Sequence, residues 1–96
     1  MSTKEAYKQK IEAELELAQA KLGKLKAQAK SSSAGARINY AEQIQKLEQK
    51  FDATKTKLKE LGEASDDAWE DLKDGVESAW GALSTAIRKA AAKFKG

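Results

Sequence analysis

The sequence predicts an all-α protein, built as a three-helix bundle with coiled-coil-like packing. Apolar residues recur at intervals of three and four along most of the 96 residues, the spacing that places them on one face of a helix. The chain has no proline, the residue that most strongly interrupts helices. Charged residues make up 34% of it and the mean hydropathy is −0.70, as expected for helices that expose most of their surface. We therefore expect a single helical domain over residues 1–96.

The first helix is predicted over about residues 4–30, because a narrow apolar seam with a seven-residue repeat runs through this segment. The two apolar positions of the repeat hold Ile11, Leu15, Ala18, Leu22, Leu25 and Ala29. Such a seam is typical of a helix that pairs with another helix.

The second helix, over about residues 37–61, has the clearest seven-residue repeat. Its two core positions hold Arg37, Tyr40, Ile44, Leu47, Phe51, Thr54, Leu58 and Leu61. Gly62 follows at the position where glycine commonly ends a helix, so we expect the helix to stop there.

The segment between these helices, Ser31 to Ala36, is compatible with two architectures. Three serines and a glycine form helix poorly, and a serine can cap the next helix, which favours an antiparallel hairpin. Small residues nevertheless continue the helical spacing through the segment. The alternative is one long helix over about 4–61 plus the helix 66–94, completed into a bundle by dimerisation.

The third helix is predicted over about residues 66–94, with Ser65 as its cap and Asp66 and Asp67 in its first turn. Its apolar stripe repeats every eleven residues, as in Trp69, Trp80 and Ala91. The candidate core or interaction face consists of Trp69, Leu72, Val76, Trp80, Leu83, Ile87 and Phe94.

This stripe has two interpretations. It can cover the seam of the hairpin, or it can bind a membrane or granule surface as an amphipathic helix with a basic end. The acidic residues from Asp66 to Glu77 would be repelled by anionic lipid, so we favour the first interpretation.

The composition argues against an enzyme. The chain has no His and no Cys, which removes the common nucleophiles, metal ligands and neutral-pH bases. The six glycines are scattered and form no phosphate-binding loop. The acids between Asp66 and Asp74 lack the spacing of a calcium-binding loop and complement the helix dipole instead. We expect no catalytic residues, cofactor, metal or small-molecule substrate.

Two further features bear on partners and location. The lysines from Lys46 to Lys59 alternate with acids and belong to no nucleic-acid motif, so nucleic-acid binding is the least favoured function. The N-terminus lacks the apolar run of a signal peptide, and the longest apolar stretch is Ala90 to Ala92. These features predict a cytoplasmic protein.

Residues 36–44 and 58–80 resemble a group of small bacterial coiled-coil proteins that are described as stress-response or hypothetical proteins. The most specific part is the block Ala-Trp-Glu-Asp-Leu-Lys-Asp-Gly-Val-Glu at positions 68–77. The resemblance implies a non-enzymatic, stress-associated role, with no catalytic residues to carry over. Together with the helical pattern, it predicts an interaction protein that acts as a homo-oligomer or on partner helices. Peripheral binding to a membrane is the alternative.

Overall fold

The chain folds into three helices that form one antiparallel bundle. The computed structural model describes residues 3–94, and at Phe94 it describes the backbone alone. The helices are α1 (Thr3–Lys30), α2 (Ala34–Glu63) and α3 (Trp69–Phe94), and each packs against both others. The bundle is 51 Å long and 17–19 Å across. This confirms the predicted all-α hairpin covered by a third helix.

The connection between α1 and α2 is a short turn at residues 31–33, so the alternative of one long helix over 4–61 is wrong. Ser31 Oγ and Ser32 Oγ both donate to the carbonyl oxygen of Gln28, at 3.0 and 2.9 Å, which satisfies the end of α1. Ser33 has an extended backbone, and its Oγ accepts a hydrogen bond from the Ala36 amide at 3.4 Å. Ser33 is therefore the N-cap of α2.

The end of α2 differs from the prediction. Gly62 lies inside the helix, and no glycine among the described residues has a positive φ. The helix ends at Glu63, and the next residue, Ala64, is its C-cap: it is extended and donates its amide to the Leu61 carbonyl. A Cβ at Gly62 would lie 3.1 Å from Lys8 Cε, so the glycine lies against the Lys8 side chain and does not turn the chain.

The start of α3 is also later than predicted. Residues 66–68 form a turn, and the helix begins at Trp69. The amides of Ala68 and Trp69 both donate to the Ser65 carbonyl at 3.1 Å. Asp66 and Asp67 consequently precede the first helical turn, which carries Glu70 and Asp71 instead.

Seven-residue repeats from all three helices meet in the core. All six predicted seam residues of α1 are buried, as are the α2 positions from Ile44 to Leu61. Thr54 is fully buried among them, and its hydroxyl donates to the Lys50 carbonyl at 2.9 Å. The predicted seams of α1 and α2 are therefore confirmed, apart from Arg37, which is exposed, and Tyr40, which is half-buried.

The buried stripe of α3 follows a seven-residue repeat rather than the predicted eleven. Its fully or nearly fully buried positions are Trp69, Val76, Leu83 and Ala90, with Ile87 beside them. Ala91, which the eleven-residue repeat places on the apolar face, is exposed. A helix that supercoils with two neighbours keeps a 3.5-residue period facing them, so the shorter repeat is the one that packs.

Candidate interaction face

The seven residues of the predicted face of α3 have different environments. Trp69, Val76, Leu83 and Ile87 belong to the core, whereas Leu72 and Trp80 are half-buried and pack against its edge. The side chain of Phe94 lies outside the described part of the structure. Most of the apolar face of α3 is thus inside the bundle, and Leu72 and Trp80 lie at its boundary.

A continuous groove runs along the boundary between α1 and α3. Near mid-length it encloses about 140 Å³ and is bordered by Leu17, Trp80, Ser84 and neighbouring residues. It continues toward the end of α3 as a wider groove of about 460 Å³, whose floor includes Leu25 and Ile87. The two parts share Lys21, Ile87 and Arg88. We call this surface the α1–α3 face, defined by Glu14, Leu17, Lys21, Lys24, Trp80, Ser84 and Arg88.

Leu17 makes this face apolar at its centre. It is 66% exposed, one of two large apolar side chains that the described residues expose to this extent. The other is Ile38 on α2, which is 67% exposed. Sequence reasoning did not single out Leu17, although its position off the seam of α1 was a signal. A leucine outside the core positions of a paired helix is exposed unless a third helix or a partner covers it.

Where α1 and α3 meet near their N-terminal ends, the boundary between them is aromatic and acidic. The rings of Tyr7 and Trp69 lie 6.0 Å apart between centroids, and Lys73 Nζ lies 5.2 Å above the Tyr7 ring. Burial, together with the negative charges of Glu77, Glu14 and Asp74, raises the pKa of Tyr7 to about 12. The Tyr7 hydroxyl is buried beside the Glu77 carboxylate.

The charges of the protein are segregated along its length. The segments 17–41 and 78–93 contain no acidic residue, and the antiparallel hairpin brings them to the same end of the bundle. Their basic residues are Lys21, Lys24, Lys26, Lys30, Arg37, Arg88, Lys89 and Lys93. Residues 63–77, which carry seven acids and one lysine, lie toward the opposite end.

The described residues contain no group of three or more acidic side chains placed to hold a metal ion. Within the same residues, no helix combines the length and the apolar character needed to cross a membrane. Comparisons with protein-family models, with curated proteins and with solved structures found no match for this chain. The resemblance to bacterial stress-response proteins therefore stays a prediction.

Proposed function

We propose that this protein is a non-enzymatic helical interaction protein that binds another protein chain through the α1–α3 face. The observation that carries the proposal is the position of Leu17, which is largely exposed beside the half-buried Trp80 in a continuous groove. The bundle already has a closed core, so folding does not require Leu17 or Trp80 to lie at the surface. An exposed aliphatic residue and an aromatic edge surrounded by charges are typical of the centre of a protein interface.

Site-specific photo-crosslinking tests this proposal. A photoreactive amino acid replaces Leu17 in the full chain, which is expressed in its own organism, and adducts are separated by mass. Gln49 is the matched control, because it is exposed on α2, on the opposite side of the bundle from the groove. We expect protein adducts from position 17 and none from position 49. Absence of any protein adduct at position 17 would contradict the proposal.

The basic end of the bundle favours a second candidate, peripheral binding to an anionic membrane or granule surface. Eight basic residues from the segments 17–41 and 78–93 converge there, and one of them, Lys26, forms an ion pair with Glu48 of α2 at 2.9 Å. Each cation close to an anionic surface adds about 1 kcal/mol of attraction. Since Trp69, Val76 and Leu83 are core residues, this contact would use the charges of the folded bundle rather than the apolar face of α3. Binding to phospholipid vesicles is the test of this candidate.

A stress-associated role and a cytoplasmic location are part of the first proposal. The stress-associated role is supported by the block at 68–77. Neither changes the molecular activity proposed, which is helical association.

A further inference from the structure

We propose that the partner bound by the α1–α3 face is a second copy of the same chain, held antiparallel about a twofold axis beside Leu17 and Trp80. This inference rests on the proposed function and specifies its partner. Three features carry it: the central position of the apolar residues, the opposite charges on either side of them, and the size of the face.

The apolar residues lie near the middle of the bundle. Leu17 is close to the midpoint of α1 (Thr3–Lys30), and Trp80 is close to the midpoint of α3 (Trp69–Phe94). Both border the same part of the groove. A twofold axis at mid-length lets a second copy cover these residues with its own Leu17 and Trp80, as a self-complementary interface requires.

Charges of opposite sign flank this centre at similar distances. With a rise of about 1.5 Å per residue, Lys21 lies about 6 Å beyond Leu17, and Arg88 lies about 12 Å beyond Trp80. On the other side, Glu77 lies about 4.5 Å and Asp74 about 9 Å before Trp80. In the antiparallel arrangement, Arg88 of each copy therefore approaches the acidic side chains of the other.

The acidic half also contains two lysines. Lys73 lies above Tyr7, and Lys10 is one seven-residue repeat before Leu17. The same half carries three carboxylates around Tyr7, those of Glu14, Asp74 and Glu77, so its net charge is negative. The other half of the face has only cations. A parallel dimer would place these cations against each other, whereas the antiparallel dimer pairs them with acids.

The size of the face suits a dimer. One long side of the bundle measures 51 by 17–19 Å, so it presents roughly 900 Å² in projection. Specific protein interfaces bury about 800 Å² on each partner. End-to-end contact of the acidic and basic ends would instead build open chains and would leave Leu17 uncovered.

Analytical ultracentrifugation of the full chain is the first experiment. We expect a monomer–dimer equilibrium whose dissociation constant increases as the salt concentration is raised, because the flanking pairs are exposed and are screened. Leu17→Glu should weaken the dimer at least tenfold, since it places a charge at the centre of the interface. Lys46→Glu, an exposed change on α2, is the matched control and should leave dimerisation unchanged.

Charge exchange tests the antiparallel pairing. Arg88→Glu and Glu77→Lys should each weaken the homodimer at least tenfold, because each places like charges opposite each other twice. An equimolar mixture of the two variants should form a heterodimer that restores most of the affinity, since both contacts then pair opposite charges. Circular dichroism establishes whether each variant is folded. If a charge variant is unfolded, Leu17→Glu tests the same face.

Two results would overturn the inference. One is a chain that stays monomeric up to millimolar concentration. The other is a dimer that Leu17→Glu and the charge variants leave unchanged. The adduct mass in the photo-crosslinking experiment separates this failure from failure of the proposed function. An adduct with a different protein at position 17 would retain the proposed function and refute the second copy.

Discussion

Tyr7 is the residue with the most unusual surroundings in the protein. Its ring packs beside Trp69 and under Lys73, while its buried hydroxyl lies near the carboxylates of Glu77, Glu14 and Asp74. A phenolate in this position would lose solvation and would be repelled by three negative charges. For this reason the pKa of Tyr7 is raised from 10.0 to about 12.

The raised pKa predicts a stability change at high pH. Between pH 10 and about 12, the folded protein keeps the Tyr7 proton that the unfolded chain releases, so the free energy of unfolding falls as the pH increases through this window. The loss should reach about 1–2 kcal/mol, because each pKa unit corresponds to 1.36 kcal/mol and part of the ring is exposed. Urea unfolding at successive pH values, compared with Tyr7→Phe, isolates this contribution from that of other groups.

Absorbance titration gives a direct check on the same residue. In a Tyr40→Phe variant, Tyr7 is the sole remaining tyrosine, so the phenolate band reports it alone. We expect a midpoint near pH 12 in the folded protein and near 10 in denaturant. A folded-state midpoint near 10 would contradict the buried, acid-flanked position of the ring.

At the scale of the elements, the repeats of α1 and α2 could be predicted because the same residues decide both helix formation and pairing. Leu15 and Leu22, for example, are buried where the seven-residue repeat places them. The ends were less predictable. Glycine commonly ends a helix, but Gly62 lies inside α2 and packs against Lys8. Lys8 is distant in the sequence, so this contact could not be predicted from the residues around Gly62. In α3, the neighbouring helices decide that Ala90 is buried rather than Ala91.

The turn that separates α1 from α2 depends on a capping interaction that can be removed. Ser33→Ala should lower the free energy of unfolding by about 0.5–1 kcal/mol, because the amide of Ala36 loses its acceptor. The bond is long, at 3.4 Å, so the effect should lie at the low end of that range. Urea unfolding monitored by circular dichroism measures it.

The control is Ser31→Ala in the same turn. Ser31 and Ser32 donate to the same Gln28 carbonyl, so loss of one hydroxyl leaves that acceptor satisfied. We expect a change near zero for this variant. Equal losses for both substitutions would show that the turn responds to any serine replacement, and not to the cap.

For the whole molecule, the functional surface could not be predicted from sequence periodicity. Leu17 and Trp80 come from helices that are not consecutive, and only the packing of α1 against α3 brings them to one groove. The charge segregation was partly visible in the sequence, since the acid-free segments can be read directly. Their convergence required the antiparallel hairpin, which the sequence left as one of two alternatives.

This convergence of positive charge predicts that the folded bundle binds anionic phospholipid vesicles, and that neutral vesicles do not bind it. Co-sedimentation at increasing salt measures the binding, which should weaken steeply because the cations are exposed and screened. Reversal of Lys89 and Lys93 to Glu should abolish it, whereas the same change at Lys10 and Lys59, toward the opposite end, should have a smaller effect.

Tryptophan emission identifies the mode of binding: Trp69, buried at the acidic end, should keep its emission if the bundle stays folded. Vesicle binding that ignores salt and the reversal of Lys89 and Lys93 would exclude the basic end as the contact.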